Sequence, residues 1–223
     1  MEFAFTEEQD AIRDTARRFG NDRLAPDFQQ RELDGKIGRG LLTEMGALGL
    51  IGVDLPEEYG GLGLDCVPSG IVVEEIAAAD LSVSYIQLIG SLNGRLLSDH
   101  ATPEFAARAI GAICSGRSIT ALGLTEPRGG SDAAGMILRA RRDGEDYVLN
   151  GEKTSISFST QADEIMLFAR TGSEEEKARG VSTFYAPLDA AGITRTAFND
   201  MGTTAVGRGS LFFDDVRIPA NCL

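Results

Sequence analysis

The feature that most constrains this chain is a change of hydrophobic pattern about halfway along its 223 residues. Before residue 116, apolar residues recur at helical spacing. After residue 116 the chain contains short runs of alternating or β-type character, separated by turns such as Asn150-Gly151. Helices followed by strands indicate an α+β fold or separate domains. We therefore expect an all-α domain over residues 1–115 and a β domain over residues 116–223.

Local signals predict where individual elements begin and end. Thr6 has the spacing of a capping box, and Thr102-Pro103 predicts the start of a helix. A further helix is predicted over Leu81–Leu97, with Asp80 and Asp99 as caps at its ends. The predicted strands are Ser118–Leu124, Met136–Arg141, Tyr147–Asn150, Ile165–Ala169, Val181–Pro187 and Leu211–Phe213.

The most distinctive local sequence is the segment Gly123–Gly135, which reads GLTEPRGGSDAAG. Glycine lets the backbone approach a ligand closely, and exposed N–H groups with Ser or Thr hydroxyls can seat a phosphate or a polar ring edge. A glycine-rich turn between two strands is the alternative interpretation of such a run. Glu126, within the segment, is interpreted as ordering the turn rather than as a catalytic base.

Composition limits the classes of function. The 21 Lys and Arg against 34 Asp and Glu give a net charge of −13, which argues against a nucleic-acid-binding surface. Cys66, Cys114 and Cys222 are widely spaced, which favours reduced thiols in a cytoplasm over disulfides or zinc. His100 is the only histidine, which argues against a Ser-His-Asp hydrolase and against a metal site. Without a secretory or transmembrane pattern, we expect a cytoplasmic protein with no membrane partner.

Together with four further blocks, the segment Gly123–Gly135 resembles the acyl-CoA dehydrogenase family over essentially the whole chain. The resemblance implies an N-terminal helical domain followed by a β-barrel-like middle domain that binds flavin. Family members carry a further C-terminal helical bundle, which is absent from this sequence, so we expect either a truncated chain or a partner that supplies the rest. The family's full-length proteins are homo-oligomers, here expected as a homotetramer. The four further blocks are Phe5–Gln9, Glu57–Leu64, Asp146–Thr154 and Phe213–Pro219.

The resemblance also implies a chemistry. The family binds FAD and oxidises the Cα–Cβ bond of an acyl-CoA thioester, passing electrons to an electron-transfer flavoprotein or a similar acceptor. Carried over by position, Leu122, Leu124 and Thr125 meet the flavin ring. Gly130 and Ser131 lie where the pyrophosphate and the CoA moiety pass.

The second flavin segment implied by the resemblance contributes Ser155 and Ser157. Most relatives have a tryptophan at the position of Ser155, and this chain contains none. The segment Thr154–Ser157, with Gly207–Ser210, resembles the cyclohexanecarboxyl-CoA and cyclohexenecarboxyl-CoA dehydrogenases. A cyclic substrate is therefore expected, with a linear or branched acyl group as the alternative.

A second departure concerns the turn that contacts CoA in relatives, where an arginine and a serine are usual. Thr204 and Val206 stand at those places here. Arg208 is therefore a candidate replacement cation for substrate binding, and an exposed turn arginine is the alternative interpretation.

The acyl group in the family is partly enclosed by the helix predicted over Leu81–Leu97. Candidate substrate contacts are Ser84, Tyr85, Leu88 and Ser91, because these positions share a helix face. Ordinary helix packing is the alternative for them. Residues 84–98 contain no Asp or Glu, so the catalytic base stays unknown, and the family's usual base lies in the C-terminal domain.

Three hypotheses follow. The first is the N-terminal and middle domains of an FAD-dependent acyl-CoA dehydrogenase. The second is a non-catalytic flavin-fold subunit or assembly module that needs a partner chain, and the third is an acyl-CoA oxidase-type enzyme. The chain by itself is expected to retain FAD weakly and to be inactive, because its sites are only partly enclosed.

Overall fold

The computed structural model describes residues 4–223, and the chain divides into two units. The helical unit comprises the chain up to Ile119 together with Met201–Val206. The sheet unit comprises Thr120–Asp200 and Gly207–Leu223. The predicted α+β class, with helices first and strands second, is confirmed.

The helical unit is built on local capping interactions that the sequence predicts. Thr6 Oγ1 accepts from the backbone N of Gln9 at 3.2 Å, and Gln9 Oε1 accepts from Thr6 N at 3.1 Å, which completes the capping box. Thr102 Oγ1 caps the last helix by accepting from Phe105 N. Within the described part of the chain, the α-helices are α1 Glu7–Phe19, α2 Phe28–Asp34, α3 Arg39–Ala47, α4 Cys66–Ala79, α5 Leu81–His100 and α6 Pro103–Cys114.

Asp80 separates α4 from α5 and is almost fully buried. Its carboxylate caps α5 at Val83 N and forms a 2.7 Å ion pair with Arg31, whose guanidinium also donates to the carbonyl of Leu24. The prediction that Asp80 is a cap is confirmed. The same prediction for Asp99 is wrong, because α5 continues through Asp99 to His100 and the C-cap is Ala101.

Glu32, on α2, holds the segment Met201–Val206 in the helical unit. Its carboxylate accepts from Thr204 N at 2.7 Å, from Thr204 Oγ1, from Ala205 N and from Ser82 Oγ. Burial raises the pKa of the Glu32 carboxyl, but these four hydrogen bonds together outweigh burial, so the pKa lies below its ordinary value.

The sheet unit contains one mixed seven-stranded sheet, in the order β1-β4-β2-β3-β7-β6 with β5 paired to β4. Strand β4 pairs in parallel with β1 and β2, and the other pairings are antiparallel. Apolar side chains that alternate along these strands form its core. The strands are β1 Thr120–Gly123, β2 Arg139–Asp143, β3 Asp146–Ile156, β4 Glu164–Arg170, β5 Val181–Pro187, β6 Ile193–Ala197 and β7 Gly209–Pro219.

Strand β6 and helix α2 had no clear signal in the sequence. Within residues 4–223, strand β6 pairs only with β7. It is short and half-exposed, and it lacks the apolar alternation of a buried strand. Helix α2 has seven residues, of which only Arg31 is buried, so it too lacks a recognisable apolar face. In residues 4–223, none of the helices is long and apolar enough to cross a membrane.

Candidate cofactor site

The glycine-rich segment forms a tight corner after strand β1. Gly129 N donates to Glu126 O at 2.9 Å and Glu126 N donates to Gly129 O at 3.2 Å, which closes a turn around Pro127 and Arg128. Gly129 has φ 136°, in a region that residues with side chains rarely adopt. The corner therefore depends on glycine at this position.

The Glu126 carboxylate is buried inside the corner and is only 3% exposed. It accepts from Ile137 N at 2.7 Å, from Leu138 N at 2.9 Å and from Lys153 Nζ at 2.9 Å. Lys153 is fully buried and also donates to the carbonyl of Leu124 at 3.1 Å. The interpretation of Glu126 as the residue that orders the turn is therefore confirmed.

Burial and pairing act in opposite directions on these two groups. Burial raises the pKa of the Glu126 carboxyl, but the hydrogen bonds from Ile137, Lys153 and Leu138 outweigh it, so the pKa lies below its ordinary value. Burial lowers the pKa of the Lys153 ammonium, and pairing with Glu126 only partly offsets that effect. The lowered pKa of Glu126 keeps the carboxylate charged, with Lys153 as its counter-ion.

The corner and strand β3 are joined directly. Thr154 N, on β3, donates to Thr125 O at 2.9 Å. Gly130 lies against the same threonine, because a Cβ at Gly130 would come within 2.9 Å of Thr125 Oγ1. Leu122 is half-buried on β1 between two buried neighbours, and pairs with Met166 of β4. The two segments named from the sequence are thus brought together.

Several polar groups of these segments make no hydrogen bond to any other residue within the described range. They are the hydroxyls of Thr125, Ser131 and Ser157 and the backbone amides of Gly130 and Ser131. Ser131 is exposed, and Thr125, Gly130 and Ser157 are half-buried. Exposed hydroxyls and amides in this arrangement can bind an anionic oxygen or a polar ring edge.

Two adjoining cavities, of about 300 and 380 Å³, lie along the corner and share Arg128, Asp132, Gly135 and Met136. The larger cavity is also lined by Arg170, Lys177 and Glu174. We call these two cavities the corner groove. Arg128, Arg170 and Lys177 give the groove three basic side chains in a chain of net charge −13.

Arg170 holds the chain that follows the corner. Its guanidinium is almost fully buried and donates to four carbonyl oxygens, at distances of 2.5–3.2 Å. Sequence reasoning missed both Arg170 and Lys153. The available signal for Arg170 was a basic residue at the end of the largely apolar run EIMLFAR. The signal for Lys153 was a basic residue inside strand β3. The four acceptors of Arg170 are Met136, Ala134, Ser173 and Lys177.

Ser155 and Arg208, named separately from the sequence, lie in contact. Arg208 Nη1 donates to Ser155 Oγ at 2.7 Å. By contrast, the two turn positions Thr204 and Val206 are engaged inside the helical unit. Thr204 donates to Glu32 from both its amide and its hydroxyl, and Val206 is 2% exposed.

The candidate substrate residues on α5 differ in exposure. Leu88 is 50% exposed and Tyr85 is half-buried. Ser91 donates to both carboxylate oxygens of Asp54 at 2.7 Å. Ser84 is 2% exposed and donates to the carbonyl of the preceding turn. Ser84 is therefore packed within the helical unit, whereas Leu88 is exposed. No group of three or more metal-ligating side chains that could hold an ion occurs in the part of the chain that the structure describes.

Comparison with known proteins identifies the family. The profile of the acyl-CoA dehydrogenase N-terminal domain matches residues 6–117, and that of the acyl-CoA dehydrogenase middle domain matches residues 121–216. A probable acyl-CoA dehydrogenase of Bacillus subtilis is 33% identical over 99% of this chain and 58% of its own length.

Two solved structures have the same fold. A glutaryl-CoA dehydrogenase from Mycobacterium smegmatis in complex with FADH2 superposes with a TM-score of 0.88 at 29% identity, covering 98% of this chain and 55% of that one. A structure described as an electron transferring flavoprotein of Acidaminococcus fermentans has a TM-score of 0.92 at 31% identity, covering 100% of this chain and 59% of that one. The chain thus spans little more than half the length of these proteins. Both of its halves match, and the chain belongs to the acyl-CoA dehydrogenase family.

Proposed function

We propose that this chain binds FAD at the corner and forms part of an FAD-dependent acyl-CoA dehydrogenase that oxidises the Cα–Cβ bond of an acyl-CoA thioester. The observation that carries the proposal is the 2.9 Å hydrogen bond from Thr154 N to Thr125 O, which brings the corner and the end of β3 together. A related glutaryl-CoA dehydrogenase of the same fold is described in complex with FADH2.

The polar groups of the corner suit the two parts of this cofactor. The hydroxyl of Thr125, with the backbone of Leu122 and Leu124, offers hydrogen bonds to the edge of the isoalloxazine ring. The amides of Gly130 and Ser131 offer donors to the anionic pyrophosphate, which prefers exposed N–H groups. The Ser155 and Ser157 segment contributes the neighbouring wall.

When bound, the flavin supplies the redox chemistry by accepting two electrons and the β-hydrogen of the thioester. The residues of this chain hold the reacting groups in position, since aligned geometry supplies much of the rate in such reactions. The buried Glu126–Lys153 pair fixes the corner against which the ring is held. Arg128 and Lys177, on the corner groove, supply positive charge for the phosphates of an anionic substrate.

We propose further that the acyl group is cyclic. This proposal is supported by the small Ser155 at a position where relatives usually have a tryptophan, which leaves more room beside the ring. Tyr85, Leu88 and Ser91 of α5 are proposed contacts for the acyl group, and Arg208 for the substrate. The proposed electron acceptor is an electron-transfer flavoprotein, in a cytoplasmic homo-oligomer.

The proposal is tested by titrating the purified protein with FAD and following quenching of flavin fluorescence. Thr125→Val is expected to weaken FAD binding about tenfold, equivalent to about 1.4 kcal/mol for one lost hydrogen bond. Thr171→Val is the matched control, because the Thr171 hydroxyl bonds to Ser182 elsewhere in the sheet unit. Equal FAD affinity in Thr125→Val and the wild type would argue against the proposed ring contact, and no saturable binding by the wild type would overturn the proposal.

A substrate panel addresses the reaction. Under anaerobic conditions, the FAD-loaded full-length protein should lose its absorbance when its acyl-CoA is added. The loss should occur in the oxidised-flavin band at roughly 450 nm, because the flavin takes up the electrons. Cyclohexanecarboxyl-CoA should bleach it faster than butyryl-CoA or long-chain acyl-CoA. Faster bleaching by a linear thioester would refute the cyclic substrate and leave the dehydrogenase proposal intact.

A further inference from the structure

A polar cluster surrounds Ser155 in the sheet unit. It consists of Ser155, Phe198, Asp200 and Arg208, and we call it the Arg208 cluster. Arg208 donates from Nε and Nη2 to the two carboxylate oxygens of Asp200, at 2.9 and 2.6 Å, and from Nη1 to Ser155 Oγ at 2.7 Å. Its guanidinium carbon lies 5.1 Å from the centroid of the Phe198 ring. A bidentate carboxylate and an aromatic face together fix the orientation of the cation.

The backbone of Ser155 is adapted to this contact. Ser155 has φ 59°, in the left-handed region, and the β3–β7 register shifts between Lys153 and Ile156. A bulge of this kind changes the direction of a side chain at the cost of local strain. The strained residue is the one that meets Arg208.

The cluster adjoins the corner through one residue. Ser155 directly follows Thr154, whose amide donates to Thr125 O at 2.9 Å. The Thr154 hydroxyl also accepts from Ser210 Oγ at 2.9 Å, two residues after Arg208 on the chain. The ion pair therefore contacts strand β3 at Ser155, one residue from the contact between β3 and the corner.

We propose that Arg208 and Asp200 act on the reduction potential of the bound flavin in opposite directions and balance each other, with Arg208 as a positioning and charge-supplying residue beside the ring. This inference rests on the proposed function. Adding two electrons and one proton to the oxidised ring leaves the reduced ring with one additional negative charge. A nearby cation stabilises that charge and a nearby anion destabilises it. Because the pair contains one charge of each sign, removing either partner exposes the other.

The opposed signs give the test. Arg208→Met leaves the Asp200 carboxylate uncompensated and should shift the FAD midpoint potential to a more negative value. Asp200→Asn leaves the cation uncompensated and should shift it to a more positive value. We expect each variant to change the ratio of affinities for reduced and oxidised FAD about tenfold, which is about 30 mV for a two-electron couple. The double variant should return close to the wild-type potential. The measurement is anaerobic photoreduction of the FAD-loaded protein beside a reference dye.

Matched controls come from an ion pair between β7, which begins directly after Arg208, and β2. Arg217, near the far end of β7, pairs with Asp143 at 2.6 Å, so Arg217→Met and Asp143→Asn should leave the potential unchanged because of distance and screening. Potential shifts of the same sign in Arg208→Met and Asp200→Asn, or no shift in either variant, would overturn this inference. The proposed function would still stand if these proteins retained FAD binding. If Arg208→Met does not fold, Asp200→Asn and Arg208→Lys decide: the first should raise the potential and the second should preserve it. Failure of the wild type to bind FAD would overturn both proposals.

Discussion

Replacing Lys153 with methionine tests how the corner is stabilised. Lys153 Nζ and Glu126 Oε1 lie 2.9 Å apart with side chains 0% and 2% exposed. At that distance two unit charges attract by roughly 6 kcal/mol at an effective dielectric constant of about 20. Burying the two ions costs several kcal/mol each, so most of this attraction is offset. Removing only the lysine leaves the buried carboxylate with two amide donors and no counter-ion, and about 3–5 kcal/mol of unfolding free energy should be lost.

The assay is equilibrium unfolding in urea, followed by far-ultraviolet circular dichroism. Lys153→Met should lower the midpoint concentration without changing the slope, because the change affects stability rather than the area exposed on unfolding. Glu126→Gln should also destabilise, since it leaves the ammonium of Lys153 buried without a carboxylate. The double variant should lose less than the sum of the single losses, by about 0.5–3 kcal/mol, because it buries no unpaired charge.

The control is Arg217→Met, which breaks an ion pair whose side chains are 57% and 41% exposed. No resolvable change is expected there, since solvent screens an exposed pair. Two results would refute the reasoning about the corner. The first is a Lys153→Met protein within about 1 kcal/mol of the wild type, and the second is strict additivity of the losses in Lys153→Met and Glu126→Gln.

Three further predictions address other parts of the chain. The pKa of Glu32 is lowered in the folded protein, so its contribution to stability is present above the ordinary glutamate pKa and is lost as pH falls through the lowered value. In urea titrations at several acidic pH values, the free energy of unfolding should therefore fall less steeply with decreasing pH in Glu32→Gln than in the wild type. The same pH dependence in both proteins would contradict this. Burial, assisted by the Asp54 carboxylate, raises the pKa of the Cys114 thiol to about 11. A thiol reagent at neutral pH should therefore label the exposed Cys66 and should not label Cys114 until the protein unfolds. Peptide mapping of the labelled protein measures this. Gly130→Ala should weaken FAD binding about tenfold with little loss of stability, because the new methyl group displaces the Thr125 hydroxyl. An unchanged FAD affinity in the fluorescence titration would refute the proposed contact between Thr125 and FAD.

The parts of the fold that depend on neighbours in sequence could be predicted. The capping box at Thr6 and the helix start at Thr102-Pro103 are both present, because a cap requires only a hydroxyl and the next few amides. Asp99 shows the limit of the same reasoning. A suitable capping side chain does not end a helix when the following residues continue to pack and hydrogen bond in helical geometry, as α5 does to His100.

The parts that depend on distant partners could not be predicted from this sequence. A lysine side chain in a strand is normally exposed to solvent. The burial of Lys153 is explained only by its ion pair with Glu126, which lies 27 residues earlier in the chain. Arg170 is similar, since its acceptors are backbone carbonyls that have no sequence signature. The resemblance drew attention to Thr125, Ser155 and Arg208, but it did not predict that Arg208 contacts Ser155 or that Arg208 pairs with Asp200.

The charge of the corner groove shows why a net charge of −13 does not exclude anionic ligands. Exposed carboxylates more than about 8 Å away are largely screened at physiological ionic strength. The field within the groove therefore depends mainly on the charges that line it, which are three basic side chains and the acidic Asp132, Glu174 and Glu126. Of these carboxylates, Glu126 is already paired with buried Lys153. Arg170 donates to carbonyl oxygens rather than to a carboxylate, so its positive charge is not cancelled by an ion pair. Local cations can thus attract a phosphate-bearing ligand on a protein whose distant surface is acidic.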